Sequence, residues 1–276
     1  MITSIYLGSI QLDTNKRVLS SIRNLSFPFI QYSAIRKGSF AGQSISPSNF
    51  ASYKLALEFT VAGSSFANLA DEREQFVADL AEILAEGSEL LKINKSNGVN
   101  TQVEIKGVDI DADADARDPI TAKFRIEMEA EYPFLQSQTL QTVTGMVFSG
   151  GGMPVPMPVP MDMSAGGANE FYATNNGNAE AYPVFKFYGP LTSPSLTNFT
   201  TGKTLNINYN LSSPSDIMIV DTFLRTVLIL PANSNGRRYV SGEFWTIKPG
   251  VNAIRLGSGN PAGTVDVIFR DHYYGI

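Results

Sequence analysis

The chain has no cysteine, one histidine and one tryptophan among 276 residues. Without cysteine there can be no disulfide framework and no thiolate metal site, although the compartment is left undecided. With His272 as the only histidine, four residues from the end, a histidine-based metal cluster or catalytic base has almost no material to work with. No run approaches the roughly 18 apolar residues that a membrane helix requires, so membrane insertion is not expected. The opening segment MITSIYLGSIQLD lacks a basic region and a continuous apolar stretch, so it does not read as a signal peptide. The expectation is a soluble protein made in a cytoplasm. Basic side chains number 21 against 26 acidic, a net charge of −5, and no basic stripe stands out. Binding to nucleic acid through phosphate neutralisation is therefore disfavoured.

What is present is strand pattern and turn chemistry. Between Phe171 and Ile276 the sequence divides into about nine short strands separated by turn signals such as Asn235-Gly236 and Pro249-Gly250. This predicts a β-sandwich domain over 169–276 with no room for a long helix. The first half mixes elements. Strands are expected over Ile2–Leu12, Phe27–Ile35 and Tyr53–Val61. In the last of these Tyr53, Leu55, Leu57, Phe59 and Val61 would share one face. A helix follows, with Asn68 as its expected cap, Asp71 and Glu72 in its first turn and Gly87 at its end. Its apolar stripe is Leu69, Phe76, Leu80, Ile83 and Leu84, and Glu72, Gln75, Asp79 and Glu82 form an acidic, wet face. Two further strands, Gln102–Ile110 and Ile120–Tyr132, bracket an aspartate-rich turn. The prediction for 1–135 is an α+β domain, a β-sheet or barrel with one packed helix, so the whole chain is mainly β. Residues 136–168 read as a connector or arm: Gly150 to Gly152 are flexible, and prolines at 154, 156, 158 and 160 force an extended path. Apolar Met153, Val155, Met157 and Val159 between the prolines would suit an arm laid on a neighbouring subunit; an ordinary exposed linker fits equally.

Several constellations imitate functional motifs. Asp109, Asp111, Asp113 and Asp115 resemble the start of a calcium loop, but a loop from Asp111 would need glycine where Ala116 stands and glutamate where Ala122 stands. A solvated acidic hairpin tip is the expected reading. Gly257-Ser258-Gly259-Asn260-Pro261-Ala262 imitates a dinucleotide fingerprint, yet a strand pattern follows it where a helix is required, so a hairpin loop is expected. Asp216, Asp221, Glu243, Asp266 and Asp271 could supply paired carboxylates for glycoside hydrolysis. Tyr239, Trp245, Tyr273 and Tyr274 could form a sugar platform, although core or interface roles are commoner for such residues. His272 reads as a surface or contact residue that could titrate near neutrality. The sequons at Asn24, Asn94, Asn198 and Asn210 carry little weight without a secretion signal. No catalytic, cofactor-binding or metal-binding residue emerges.

In order along the C-terminal half stand Asn175-Asn176-Gly177, Ala181-Tyr182-Pro183, Phe187-Tyr188-Gly189, Pro194 to Asn198 and Ile219-Val220-Asp221. After them comes Ser241-Gly242-Glu243-Phe244-Trp245-Thr246-Ile247-Lys248-Pro249-Gly250-Val251-Asn252. Together these resemble the distal tail (Dit) proteins of long-tailed bacteriophages with non-contractile tails. Tyr132-Pro133-Phe134 before the second domain fits as well; the Met-Pro arm and the Asp-rich hairpin lie outside the resemblance. It implies a structural, non-enzymatic subunit of the tail tip or baseplate, with no cofactor. Such proteins form a homo-hexameric ring between the tail tube protein and the tail hub or fibre protein. Their N-terminal domains wall a channel for DNA, and their outward galectin-like sandwiches are where receptor-binding proteins attach. The implied location is the virion tail tip, after assembly in the bacterial host cytoplasm. An acidic chain suits a channel that must not grip phosphates, with Glu127, Glu129 and the acidic helix face as candidates to line it. A sugar-binding module or adhesin using the sandwich, and a two-carboxylate glycosidase, are the competing readings.

Overall fold

The computed structural model describes residues 2–23, 30–36, 43–50, 53–85, 88–113, 120–130, 132–147, 170–258, 260 and 262–275. The protein is mainly β, as its pattern predicts, and it divides into two compact units: Met1–Gln138 with Tyr273–Ile276, and Thr139–His272.

The first unit contains β1 (Ile2–Leu7), β2 (Ile10–Gln11), β3 (Arg17–Arg23), β4 (Ile30–Arg36), β5 (Gln43–Phe50) and β6 (Tyr53–Ala62). The helix α1 (Phe66–Ala85) follows, then β7 (Glu89–Lys95), β8 (Thr101–Ile105), β9 (Gly107–Asp113), β10 (Thr121–Ala130) and the start of β11 (Leu135–Val147). Strands β2-β1-β7-β8-β11 form one sheet, β3-β6-β10-β9 a second, and β4 and β5 a two-stranded ribbon. Period-two alternation produces the second sheet. Leu55, Leu57 and Phe59 of β6 stand opposite Met128, Ile126 and Phe124 of β10, and all six are buried.

Helix α1 covers that apolar face. Leu69, Phe76 and Leu80 are buried, and the Phe76 ring meets Phe59 and Phe124 edge-on at centroid distances of 6.3 and 5.4 Å. The Arg17 guanidinium lies over the same ring, 4.5 Å from its centroid, and 3.6 Å from Asp79. Ile83 and Leu84 have side chains outside the described set, as does the expected cap Gly87. The start of the helix differs from expectation. Ser65, not Asn68, is the cap: its Oγ accepts the Asn68 N–H at 3.2 Å, while Asn68 Oδ1 accepts the Ser64 N–H at 3.1 Å. Asn68, three places into the helix, thus accepts from the residue before the cap while the cap accepts from Asn68, and Asp71 and Glu72 fall beyond the first turn. The acidic face is also less wet than expected, because β3 brings cations to it: Lys16 pairs with Glu72 and Arg17 with Asp79.

Two other expectations change here. The stretch read as one strand, Gln102–Ile110, is two, β8 and β9, in different sheets; the chain turns at Lys106, whose N–H donates to Glu129 O at 2.9 Å. Residues 136–147, expected to begin a connector, belong to the thirteen-residue strand β11, rich in the Thr, Val and Gln of LQSQTLQTVTGMV. The Met-Pro run itself lies outside the described residues.

The second unit is a two-sheet sandwich. It contains β12 (Glu170–Asn175), β13 (Val184–Tyr188), β14 (Leu191–Thr192), β15 (Ser195–Asn198), β16 (Lys203–Ile207) and β17 (Asn210–Leu211). Next come β18 (Ile217–Asp221), β19 (Thr226–Leu230), β20 (Ser234–Asn235), β21 (Val240–Gly242), β22 (Gly250–Gly257) and β23 (Thr264–Tyr273). Of these, β14, β17 and β20 are two-residue pairs, which leaves the nine longer strands the turn spacing predicts. One sheet runs β23-β13-β18-β19-β20 and the other β12-β22-β15-β16-β21. Phe185, Phe187, Val220, Val265 and Val267 from the first pack with Leu196, Leu205, Ile254 and Leu256 from the second. The expected hairpin after β22 is a correction: β22 and β23 lie in opposite sheets and do not pair with each other.

Phe76 is the joint between α1 and its sheet. Phe76→Ala should lower unfolding free energy by about 3–5 kcal/mol in urea titrations, against about 1 kcal/mol for Ser65→Ala.

Candidate functional surfaces

The residues nominated from sequence for chemistry are occupied with structure. Trp245 is fully buried, its indole N–H donates to Leu196 O at 3.1 Å, and its ring lies 4.6 Å from that of Phe185. It is a core residue and cannot present a face to sugar. The Tyr239 ring packs at a tilt against Tyr209, centroids 4.8 Å apart, while Tyr273 and Tyr274 belong to the N-terminal unit, where Tyr274 meets Phe134 edge-on. The four aromatics therefore do not assemble into a platform.

The five candidate carboxylates are likewise dispersed among local tasks. Asp216 Oδ2 accepts the N–H groups of Ser212 and Ser213 at 2.8 and 2.9 Å, and Asp221 Oδ1 those of Phe223 and Leu224 at 2.9 Å. Such contacts close turns. Glu243 pairs with Lys203 at 2.9 Å. Asp266 accepts the Gly145 N–H at 2.9 Å and lies beside the Tyr188 hydroxyl, whose pKa burial and that carboxylate push up. Asp271 is buried and accepts the Asn176 backbone and side-chain N–H groups. Among the described residues no cluster of three His, Asp or Glu could hold a metal ion, and no helix is long and apolar enough to cross a membrane. Asp109, Asp111 and Asp113 sit on strand β9 opposite Glu127, Arg125 and Lys123, not at a loop tip. Asp115 lies outside the described residues.

His272 is the clearest reversal. It is 2 % exposed, not a surface residue, and Nδ1 lies 2.9 Å from Glu180 O, where it must donate its proton to the carbonyl. Burial lowers its pKa to about 4 from the ordinary 6.5. Its backbone carbonyl also fixes the turn before it: a Cβ on Gly177 would stand 2.0 Å from His272 O, so only glycine fits there.

Sequence reading missed a network of buried amides. Asn175, Asn198 and Asn252 are all buried. Asn175 Nδ2 donates to Ala179 O and Ile247 O at 2.8 and 3.1 Å, and its Oδ1 accepts the Gly177 N–H. Asn252 Nδ2 donates to Lys248 O and Gly250 O at 2.8 and 3.1 Å, while Oδ1 accepts the Lys248 N–H and Asn198 Nδ2. That closes the turn in which Gly250 takes φ +92°. The sequon residue Asn198 is thus internal, and Asn94 holds Ser4 and Gln138. Asn210 Oδ1 accepts the Ser193 N–H, while Asn24 lies outside the described residues.

The outer face of β3-β6-β10-β9 is a mixed-charge ladder. Glu127 is paired with Arg125, Glu129 with Lys54 at 3.7 Å and Glu58 with Arg23 at 3.0 Å. Along α1 runs an open groove of about 530 Å³ bordered by Ala70, Arg73, Val77 and Ala81, and Phe66 and Val77 are exposed beside it.

Removing a partner from the amide network should be expensive: Asn252→Ala is expected to cost about 3 kcal/mol in urea titrations. For His272 the folded pKa is depressed, so its contribution is complete above pH 6.5 and is lost as pH falls from about 6.5 towards about 4. The gap corresponds to about 3 kcal/mol. The wild-type unfolding midpoint should therefore fall more steeply across that window than that of His272→Gln.

Comparison with known proteins agrees with this reading of the sandwich. Residues 176–273 match the family model described as siphovirus-type tail component, C-terminal domain. No curated protein matches the chain. Among solved structures it is similar to the SPP1 Dit protein, described as a paradigm of the hub adsorption apparatus in phages that infect Gram-positive bacteria. The identity is 12 % and the TM-score 0.64, over 98 % of each chain. A chain of the phage P2 baseplate in its activated conformation with Ca is covered to 97 % at 10 % identity and a TM-score of 0.44. The sandwich thus matches the siphovirus-type tail component model over residues 176–273, and nearly the whole chain has the fold of the SPP1 Dit protein.

Proposed function

We propose that this protein is a structural subunit of the phage tail tip that forms a homo-hexameric ring. The ring joins the tail tube to the central hub or fibre, anchors receptor-binding proteins and leaves a channel for DNA. The observation that carries the reading is the family match over 176–273, which supports a structural tail role for the C-terminal domain. The surfaces support it. A ring of identical subunits needs an apolar edge that each copy presents to the next. The exposed Phe66, Val77 and neighbouring small residues of α1 supply one in the N-terminal unit, with the next copy of this chain as its occupant. The Gly/Met/Pro-rich stretch that follows β11, 148–168, belongs to the same proposal, as an arm between subunits.

The charged ladder suits a channel wall. Glu127 and Glu129 face out beside Lys54 and Arg125, so a phosphate approaching that face meets cations already committed to carboxylates. Such a surface neither holds DNA nor repels it strongly. After assembly in the host cytoplasm, the ring would sit at the virion tail tip.

Light scattering across a concentration range tests the ring. A mass of six protomers, with a central hole in negative stain, is expected for the protein alone or with its tube and hub partners, and Val77→Glu should reduce that mass while its melting temperature holds. A monomer that stays monomeric with both partners present would refute it. For the channel wall, Glu127→Lys with Glu129→Lys should create salt-dependent affinity for duplex DNA where the wild type has none.

A further inference from the structure

The sequence-nominated sugar platform does not exist, yet the sandwich presents a different aromatic and polar cluster on open surface. It lies on the outer face of β12-β22-β15-β16-β21. Strand register puts Glu170, Arg255, Thr197 and Thr204 in one row across four strands, with Tyr172 opposite Ala253 in the next. Side chains alternate, so these residues point away from the core that Asn252, Ile254 and Leu256 enter. Tyr172 is 60 % exposed and Phe199 47 %.

The cluster is internally organised. The Arg255 guanidinium lies over the Phe199 ring, 4.4 Å from its centroid, and its Nη2 donates to Glu170 Oε1 at 2.9 Å. The Tyr172 hydroxyl donates to Glu170 Oε2 at 3.3 Å. Thr197 and Thr204 hydroxyls meet at 3.0 Å. Stacking and the ion pair fix the plane of the guanidinium. Among the described residues the Arg255 side chain donates to Glu170 alone; its Nε is enclosed without an acceptor and out of reach of a ligand, which leaves the outer guanidinium N–H groups uncommitted. The result is a preset row of donors and acceptors flanked by two exposed rings. Leaving two aromatic faces in water is unfavourable unless something covers them.

The geometry points to a binding site for an uncharged saccharide on this face, with Tyr172 and Phe199 packing on the C–H faces of pyranose rings and Arg255, Glu170 and the two threonine hydroxyls taking its hydroxyl groups. Charge selects this ligand class. Glu170 already neutralises Arg255, so a phosphate or carboxylate would gain little and would meet the glutamate. A purely apolar partner surface would bury the ion pair without replacing its hydration. A hydroxyl is both donor and acceptor and matches the row without net charge. The site stands independently of the ring proposal, since it lies wholly within one sandwich.

The test is saturation-transfer NMR on the full-length protein with a named panel: methyl β-galactoside, methyl β-glucoside, methyl α-rhamnoside, N-acetylglucosamine, N-acetylgalactosamine and glucose 6-phosphate. At least one neutral sugar should receive saturation at its ring C–H protons, and glucose 6-phosphate should not bind more tightly than glucoside. Tyr172→Ala and Arg255→Gln should each weaken that binding by about tenfold or more, with unchanged melting temperature. Phe199→Trp, which keeps a ring, should retain it. The proposal is overturned if no neutral sugar of the panel is bound at millimolar concentration. It is equally overturned if the double variant Tyr172→Ala/Arg255→Gln binds as wild type does, or if the phosphorylated sugar is preferred.

Discussion

The sandwich depends on a problem that its own turns create. Its loops fold over buried ends of strands, where peptide groups lose water and must find partners inside the protein. Three buried amides answer that need. Asn175, Asn198 and Asn252 each carry donors and an acceptor on a short, stiff side chain, and together they tie the turns at 175–179 and 246–252 to each other. An amide can satisfy both a carbonyl and an N–H at once, which a carboxylate or an aliphatic residue cannot. Every contact here is neutral, so no charge had to be taken from water. Asp271 and His272 extend the arrangement at the same end of the domain: one accepts from Asn176, and the other, held neutral, donates to Glu180.

This explains why the residues that carry the family resemblance cluster as they do. Asn175-Asn176-Gly177, Ala181, Trp245 to Lys248 and Asn252 are scattered in sequence, yet Ala181 bridges Ile247 and Asn175 reaches the same Ile247 carbonyl. Trp245 fixes the position of β15 through Leu196. These side chains are tied to the fold, not to a ligand. Gly177 belongs to the same logic, since the chain passes against His272 too closely for any side chain.

How much of this was legible follows from the range of each interaction. Period-two alternation is local, so β6 and β10 were readable, as were the α1 stripe at Leu69, Phe76 and Leu80 and the nine longer strands of the sandwich. What failed was non-local. The wetness of Glu72 and Asp79 depended on Lys16 and Arg17, about 60 residues away, arriving on β3. His272 looked exposed because nothing in its neighbourhood announces that Glu180 and Tyr182 enclose it. The glycine-rich sequence after β22 has hairpin chemistry, but β22 and β23 lie in opposite sheets, a matter of topology that no turn signal encodes. Trp245 with Tyr239, Tyr273 and Tyr274 suggested a sugar platform, but residues near in sequence need not share a face. The cluster of Glu170, Tyr172, Phe199 and Arg255 shares one because three strands bring it together, and single-sequence reading had no means to pair them.

The two units spend their exposed apolar surface differently, and the difference bears on what each can meet. On α1 the exposed residues are aliphatic or small around Phe66, with a shallow groove and only Arg73 and Glu74 at its border. Such a surface gains chiefly by excluding water and tolerates any partner of matching shape, which suits a repeated contact between identical copies. On the sandwich the exposed rings frame a fixed ion pair and hydroxyls. Covering them with an apolar partner would strand those polar groups, so only a ligand with hydroxyls of its own can use the whole face. Shape is the selective property of the first surface and hydrogen-bond pattern that of the second.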